Sequence, residues 1–111
     1  MIYGSSLLQF IHTPMFDATA AGVPMTDDDL RAVQMALQED PTAGDPIAGT
    51  GGARKIRAAA KGRGKRGGAR VIYYYAMRTA TIYLLLAYGK SEADDLSQAG
   101  KKILRAILSE L

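Results

Sequence analysis

The sequence predicts an α+β fold in which helices pack on one face of a mainly antiparallel sheet. Segments 69–77 and 81–89 are rich in β-branched and aromatic residues and are apolar on both faces, which is typical of neighbouring central strands. Segments with helical signals precede and follow this pair of strands. With 111 residues, 48% of them hydrophobic, the chain can form one core, so we expect a single domain over residues 1–111.

The N-terminal half of the chain predicts one strand and two helices. Segment 5–12 (SSLLQFIH) is the expected strand, and segment 14–22 is the expected first helix. The second helix has the clearest signals. Thr26 is a good N-cap with Asp29 in the capping-box position, and the helix must end just before Pro41.

The middle of the chain predicts a loop, a strand and a hairpin tip. Segment 41–52 holds two prolines and four glycines, so we expect an irregular loop there. In the expected strand 53–60, Lys55 and Arg57 occupy alternate positions and would share one face. Segment 61–68 is rich in glycine and basic residues, which indicates a flexible tip.

The C-terminal segment predicts an amphipathic helix with Ser97 as its N-cap. The apolar positions of this helix are Leu96, Ile103, Leu104, Ile107, Leu108 and Leu111. Together the elements predict a four-stranded sheet with two N-terminal helices and one C-terminal helix.

Positive charge is concentrated in one stretch of the chain. Residues 1–53 carry a formal net charge of −6, residues 54–75 carry +8 with no acid, and residues 76–111 carry +1. A basic block of this density favours a polyanionic partner, because binding to phosphates releases the counterions that surround a nucleic acid. The alternative at this point is a solvated basic face without a ligand.

Composition and motifs argue against several classes of protein. The chain has no Cys and one His, so the ligands of common zinc sites are missing, and we expect no metal and no cofactor. Segments 49–54 and 89–91 contain glycine but lack the spacing of dinucleotide-binding and phosphate-binding loops. Neither a signal peptide nor an apolar run of about 20 residues is visible, so we expect a cytoplasmic protein with no membrane partner.

Basic residues and tyrosines can carry out RNA cleavage without a metal. In that reaction the 2′-hydroxyl of the RNA attacks the neighbouring phosphate. It needs a base for the hydroxyl proton, an acid for the leaving 5′-oxygen and cations for the charge on the phosphate. Lysine, arginine and tyrosine can supply all three roles, provided that neighbouring cations lower the pKa of a lysine base from its ordinary value of about 10.4.

Two stretches of the sequence resemble a known toxin family. The succession G-T-G-G-x-R-K-I-R at 49–57 and G-K-R-G-G-x-R-V-I-Y-Y at 64–74, followed by IYLLLAYGKSEADDLS, is similar to the HigB branch of the RelE-type toxins of bacterial toxin–antitoxin pairs. The resemblance covers about residues 25–110. It implies a compact fold with a twisted antiparallel sheet, and a metal-independent endoribonuclease that cleaves messenger RNA in the ribosomal A site.

The resemblance also implies which residues act. Lys55 and Arg57 would bind RNA phosphate and take the proton. Arg70 would stabilise the phosphate that is cleaved, and Tyr88 and Lys90 would lie beside the active site. From the charge of the basic run, the residues expected to contact RNA or the ribosome are Arg54, Lys61, Arg63, Lys65 and Arg66. The resemblance leaves open which group is the acid and which is the base.

The implied partners are messenger RNA, the A site of the small ribosomal subunit and a cognate helix-turn-helix antitoxin of the HigA type. The toxin and its antitoxin are further expected to assemble on operator DNA. Two alternatives remain open at this point. A ParE-type toxin would inhibit DNA gyrase by binding, without cleaving RNA, and a non-enzymatic basic module would bind RNA or DNA.

Overall fold

A five-stranded sheet with helices on both faces forms the described part of the chain. The computed structural model describes residues 7–60, 68–89 and 96–111. The strands are β1 (Gln9–His12), β2 (Asp45–Pro46), β3 (Ala53–Ala58), β4 (Ala69–Ala76) and β5 (Thr81–Gly89), and the helices are α1 (Pro14–Ala20), α2 (Asp27–Glu39) and α3 (Gln98–Leu108). None of these helices is long and apolar enough to cross a membrane.

The strand order across the sheet is β1-β5-β4-β3-β2. The pairs from β2 to β5 are antiparallel, whereas β1 at one edge runs parallel to β5, with Gln9 opposite Thr81. The predicted α+β class is confirmed, but the described residues form five strands rather than four. The missed strand is β2, inside the segment predicted as a loop. Two residues have no period to detect, and β2 exists because Asp45 pairs with Lys55 of β3.

Helices cover both faces of the sheet, so the predicted arrangement with helices on one face is wrong. Val71 and Tyr73 of β4 pack with Leu37 of α2 in one buried cluster. Ile72, between them in sequence, packs with Leu104 of α3 in the other cluster. Because β4 and β5 carry apolar side chains on both faces, each face must be shielded from water. We call the face that α3 covers the α3 face.

The predicted starts of the two long helices are confirmed. α2 begins with a full capping box, in which the Thr26 N–H donates to Asp29 Oδ2 at 2.9 Å and the Asp29 N–H donates to Thr26 Oγ1 at 3.1 Å. Ser97 caps α3 by accepting a hydrogen bond from the Gly100 N–H at 3.0 Å. Both caps satisfy N–H groups that have no partner within the helix.

Candidate functional site

Four of the predicted site residues lie on the α3 face of the sheet. Arg57 of β3 is directly opposite Arg70 of β4, which is directly opposite Tyr88 of β5. Lys55 points to the same face as Arg57, because side chains alternate along a strand. Lys55 also lies opposite Ile72, whose side chain packs beneath α3. The fold therefore brings two arginines, a lysine and a tyrosine together across three strands.

Arg70 stands out among these residues because its charged side chain is buried. Only 7% of the residue is exposed, and its Nη1 donates a hydrogen bond to the carbonyl oxygen of Ala69 at 3.2 Å. Within the described residues, no carboxylate lies at ion-pair distance from Arg70. A buried cation without such a partner is costly, and here its cross-strand neighbour is a second cation, Arg57. This arrangement is suited to a bound anion.

A cavity of about 280 Å³ opens beside the row formed by Arg57, Arg70 and Tyr88. Its described lining residues are Asp45, Pro46, Ile47, Ala48, Lys55, Tyr88, Leu96 and Lys101. We call the row and the cavity together the cationic cleft. Since β2, β3, β5 and α3 each contribute to the cavity, it forms only when the sheet and α3 are assembled.

The sequence did not single out two charged residues of the cavity, Lys101 and Asp45. Lys101 lies in the first turn of α3, and its side chain extends toward the turn after β2: a Cβ atom on Gly49 would lie 4.0 Å from Lys101 Cδ. In the sequence, Lys101 is one charge on an amphipathic helix and Asp45 is one acid in a glycine-rich segment. Neither pattern indicates a site, because their meeting depends on how α3 packs against the sheet.

Arg54 lies on the opposite face of β3 from Lys55, across from Tyr73 of β4. Its Nη1 donates hydrogen bonds to the carbonyl oxygens of Gly44 at 2.8 Å and Thr42 at 3.2 Å. The Tyr73 hydroxyl accepts a hydrogen bond from the Gly44 N–H at 2.9 Å. Arg54, predicted to contact RNA, therefore supports the backbone that leads into β2.

Five predicted residues lie outside the described part of the chain. They are Lys61, Arg63, Lys65, Arg66 and Lys90. Their roles stay predictions. In the part that the structure does describe, no group of three or more His, Asp or Glu side chains is placed to hold a metal ion.

Fold and site together define a small α+β protein with a cationic cleft on one face of its sheet. The family described as the RelE toxin of the RelE/RelB toxin–antitoxin system matches residues 10–111, and the chain belongs to this family. Among solved structures it is similar to E. coli toxin RelE, in a mutant with two arginines replaced by alanine and in the free state. The TM-score is 0.60 at 14% sequence identity, over 88% of this chain and 99% of that chain, so the likeness is one of fold.

Proposed function

We propose that this toxin is an endoribonuclease that cleaves messenger RNA in the A site of the ribosome and so stops translation. The attacking group is the 2′-hydroxyl of the RNA, and no metal ion takes part. Residues 1–111 act as one catalytic domain. Membership of the RelE family supports the role as a toxin. The row of Arg57, Arg70 and Tyr88 supports an RNA phosphate as the group that is bound.

The observation that carries this proposal is the buried side chain of Arg70, which has no carboxylate partner among the described residues. A phosphate in the cationic cleft would supply the missing negative charge. A guanidinium stays charged at any working pH and can hold two phosphate oxygens at once. Negative charge on the phosphate grows as the 2′-oxygen attacks, so this interaction strengthens in the transition state and lowers the barrier.

The proposed reaction needs two proton transfers. The 2′-oxygen forms a bond to phosphorus while the bond from phosphorus to the 5′-oxygen breaks, which leaves a 2′,3′-cyclic phosphate and a 5′-hydroxyl. A base takes the proton of the 2′-hydroxyl, and an acid gives a proton to the 5′-oxygen. Lys55, Tyr88 and Lys90 are the proposed groups for these transfers. Arg57 and Arg70 hold the phosphate.

Substitution of Arg70 tests the proposal. We expect Arg70→Ala and Arg70→Lys each to slow single-turnover cleavage on purified ribosomes by about a hundredfold to a thousandfold. Lysine keeps the charge but cannot hold two oxygens in a fixed fork. The matched control is Arg78→Lys, an exposed arginine in the turn after β4, which should leave the rate unchanged. A folded Arg70→Ala protein that cleaves within about threefold of wild type would contradict the proposed role.

The antitoxin and the branch of the family are a separate part of the proposal. We assign the chain to the HigB-like branch, with a HigA-like helix-turn-helix protein as its antitoxin and with assembly of the pair on operator DNA. The succession at 49–57 and 64–74 supports this assignment. The test is co-purification with the product of the adjacent reading frame. A partner without a helix-turn-helix would exclude the branch, and gyrase inhibition without RNA cleavage would replace the enzymatic proposal with a ParE-like one.

A further inference from the structure

The cavity of the cationic cleft contains an acidic residue. Among its described lining residues, Asp45 is the one carboxylate, and Lys55 and Lys101 are the two cations. A carboxylate repels RNA phosphates and offsets the attraction of neighbouring lysines. The cross-strand Lys55 offsets part of this negative charge. The carboxylate oxygens can still accept hydrogen bonds from donors on a bound RNA.

The backbone at Asp45 is fixed by strand pairing and hydrogen bonds, so its carboxylate can select among ligands by its position. Asp45 pairs with Lys55 across the β2–β3 ladder. The residue before it, Gly44, donates its N–H to the Tyr73 hydroxyl at 2.9 Å and accepts from Arg54 Nη1 at 2.8 Å. The residue after it is proline, whose ring fixes one backbone angle. The carboxylate is therefore carried on a constrained strand rather than on a free loop, as a specificity-determining group should be.

The donors that a single-stranded RNA offers at such a site are on its bases. Cytosine and adenine each present an exocyclic amino group, and guanine presents an amino group beside a ring N–H. A carboxylate only accepts hydrogen bonds, and its two oxygens match two adjacent donors best. Uracil presents two carbonyl oxygens around one ring N–H, and those oxygens repel a carboxylate. The cavity volume of about 280 Å³ suits one such base with its sugar.

We propose that Asp45 selects the base beside the cleaved bond, favouring a base with an amino group over uracil and favouring guanine most. This inference rests on the proposed RNA cleavage and adds the base preference to it. Lys101 binds a phosphate next to the selected base, and Lys55 keeps its proposed part in proton transfer. Tyr73 and Arg54 are positioning residues, because they act on the RNA only through the backbone of β2.

The test varies the base in the RNA and the carboxylate of Asp45 in the protein. Ribosomes are loaded with messenger RNA that has guanine, inosine or uracil at each position flanking the cleaved bond. The 111-residue protein is added, and single-turnover cleavage rates are measured. Inosine lacks the amino group of guanine. We expect the wild type to cleave the guanine RNA about tenfold faster than the inosine or uracil RNA at one of the two positions. Asp45→Asn should cleave all three within about threefold of one another. Asp27→Asn, the same change at an exposed site at the start of α2, should keep the wild-type preference.

The possible results of this experiment separate the base-selection inference from the proposed endoribonuclease activity. Wild-type cleavage that is indifferent to the base, or an Asp45→Asn protein that keeps the preference, would overturn the base-selection inference and leave the endoribonuclease in place. A folded Asp45→Asn protein that cleaves none of the RNAs would also overturn it, because the carboxylate would then belong to the chemistry. If the wild type cleaves none of the RNAs on ribosomes, the proposed function itself fails.

Discussion

Tyr73 connects the hydrophobic core to the edge of the cationic cleft. Its ring is fully buried on the face opposite α3, and its hydroxyl donates to the carbonyl oxygen of Pro41 and accepts from the Gly44 N–H, both at 2.9 Å. The approach is so close that a Cβ atom on Gly44 would lie 2.7 Å from Tyr73 Cε1 and 2.9 Å from the carbonyl oxygen of Lys55. Glycine is therefore required at position 44 by space.

Removal of the Tyr73 hydroxyl should destabilise the protein. Tyr73→Phe leaves the Gly44 N–H and the Pro41 carbonyl without this partner, and we expect a loss of about 1–3 kcal/mol in the free energy of unfolding. Urea unfolding followed by circular dichroism measures the change. Tyr75→Phe is the matched control, since Tyr75 lies on the same face of β4 but is half-exposed. Equal effects of the two substitutions would show that the hydroxyl of Tyr73 contributes nothing special.

The same tyrosine should make stability depend on pH under alkaline conditions. Burial raises the pKa of Tyr73 above its ordinary value of 10.0, and the hydrogen bond from Gly44 opposes that shift only in part. The folded state thus retains the proton more strongly than the unfolded state. This contribution is fully present below about pH 10 and is lost as the pH rises through the folded pKa. Wild type should lose more stability than Tyr73→Phe between about pH 9 and pH 11.

At the scale of elements, β3 serves two purposes through its alternation. Lys55 and Arg57 point to the α3 face, where the cationic cleft lies, while Arg54 points to the other face and holds the segment before β2. One short strand thus contributes a proposed proton-transfer group (Lys55), a proposed phosphate ligand (Arg57) and the support for Asp45. A shift of its register by one residue would exchange these roles.

The basic segment that follows β3 in sequence should contribute affinity more than chemistry. Replacing Lys61, Arg63, Lys65 and Arg66 together with Gln should weaken ribosome binding and flatten its dependence on salt, because fewer phosphates are neutralised. The cleavage rate at saturating ribosome should stay near wild type. Binding is measured by sedimentation with ribosomes at several salt concentrations.

A control with the same change in net charge is available for this experiment. It replaces four exposed cations elsewhere with Gln: Arg31, Arg78, Lys102 and Arg105. This protein should bind ribosomes more strongly than the variant of the 61–66 segment. If the segment variant binds normally but no longer cleaves at saturation, the segment belongs to the active site instead.

In the whole molecule, the cationic cleft lies at the edge of the area of the sheet that α3 covers. Leu104 and Leu108 of α3 cover the centre of the α3 face, while Lys101 near its start lines the cavity. On the opposite face, α2 closes the core over Val71 and Tyr73. The hydrophobic layers thus hold the strands that carry Arg57 and Arg70 from both sides, which keeps two neighbouring cations in place despite their repulsion.

The effect of the whole protein on cell growth gives a further prediction. Induced expression of the wild-type protein should arrest growth and translation, and co-expression of the cognate antitoxin should relieve the arrest, as membership of the RelE toxin family leads us to expect. Arg70→Ala, expressed to the same level, should permit growth. Pulse labelling of new protein and immunoblots of the soluble fraction measure the two quantities. Normal growth with abundant soluble wild-type protein would argue against a toxin.

Local patterns in the sequence predicted the fold class, the shared strand face of Lys55 and Arg57, and six of the eight strands and α-helices in the described residues. The six closely predicted elements are α1, α2, β3, β4, β5 and α3. These features depend on residues near one another in the chain. A capping box spans three residues, as Thr26 and Asp29 show, and strand alternation repeats every two. Local patterns of this kind are visible before any tertiary contact forms.

The cationic cleft is completed by contacts between segments that lie far apart in the sequence. β2 is too short to show a period, and it exists through pairing with β3. Arg70 is buried only in the folded chain, and Asp45 and Lys101 line the same cavity because α3 packs back across the sheet. Contacts between such distant segments arise from packing and from hydrogen bonds across the fold, for which a local sequence pattern holds no signal.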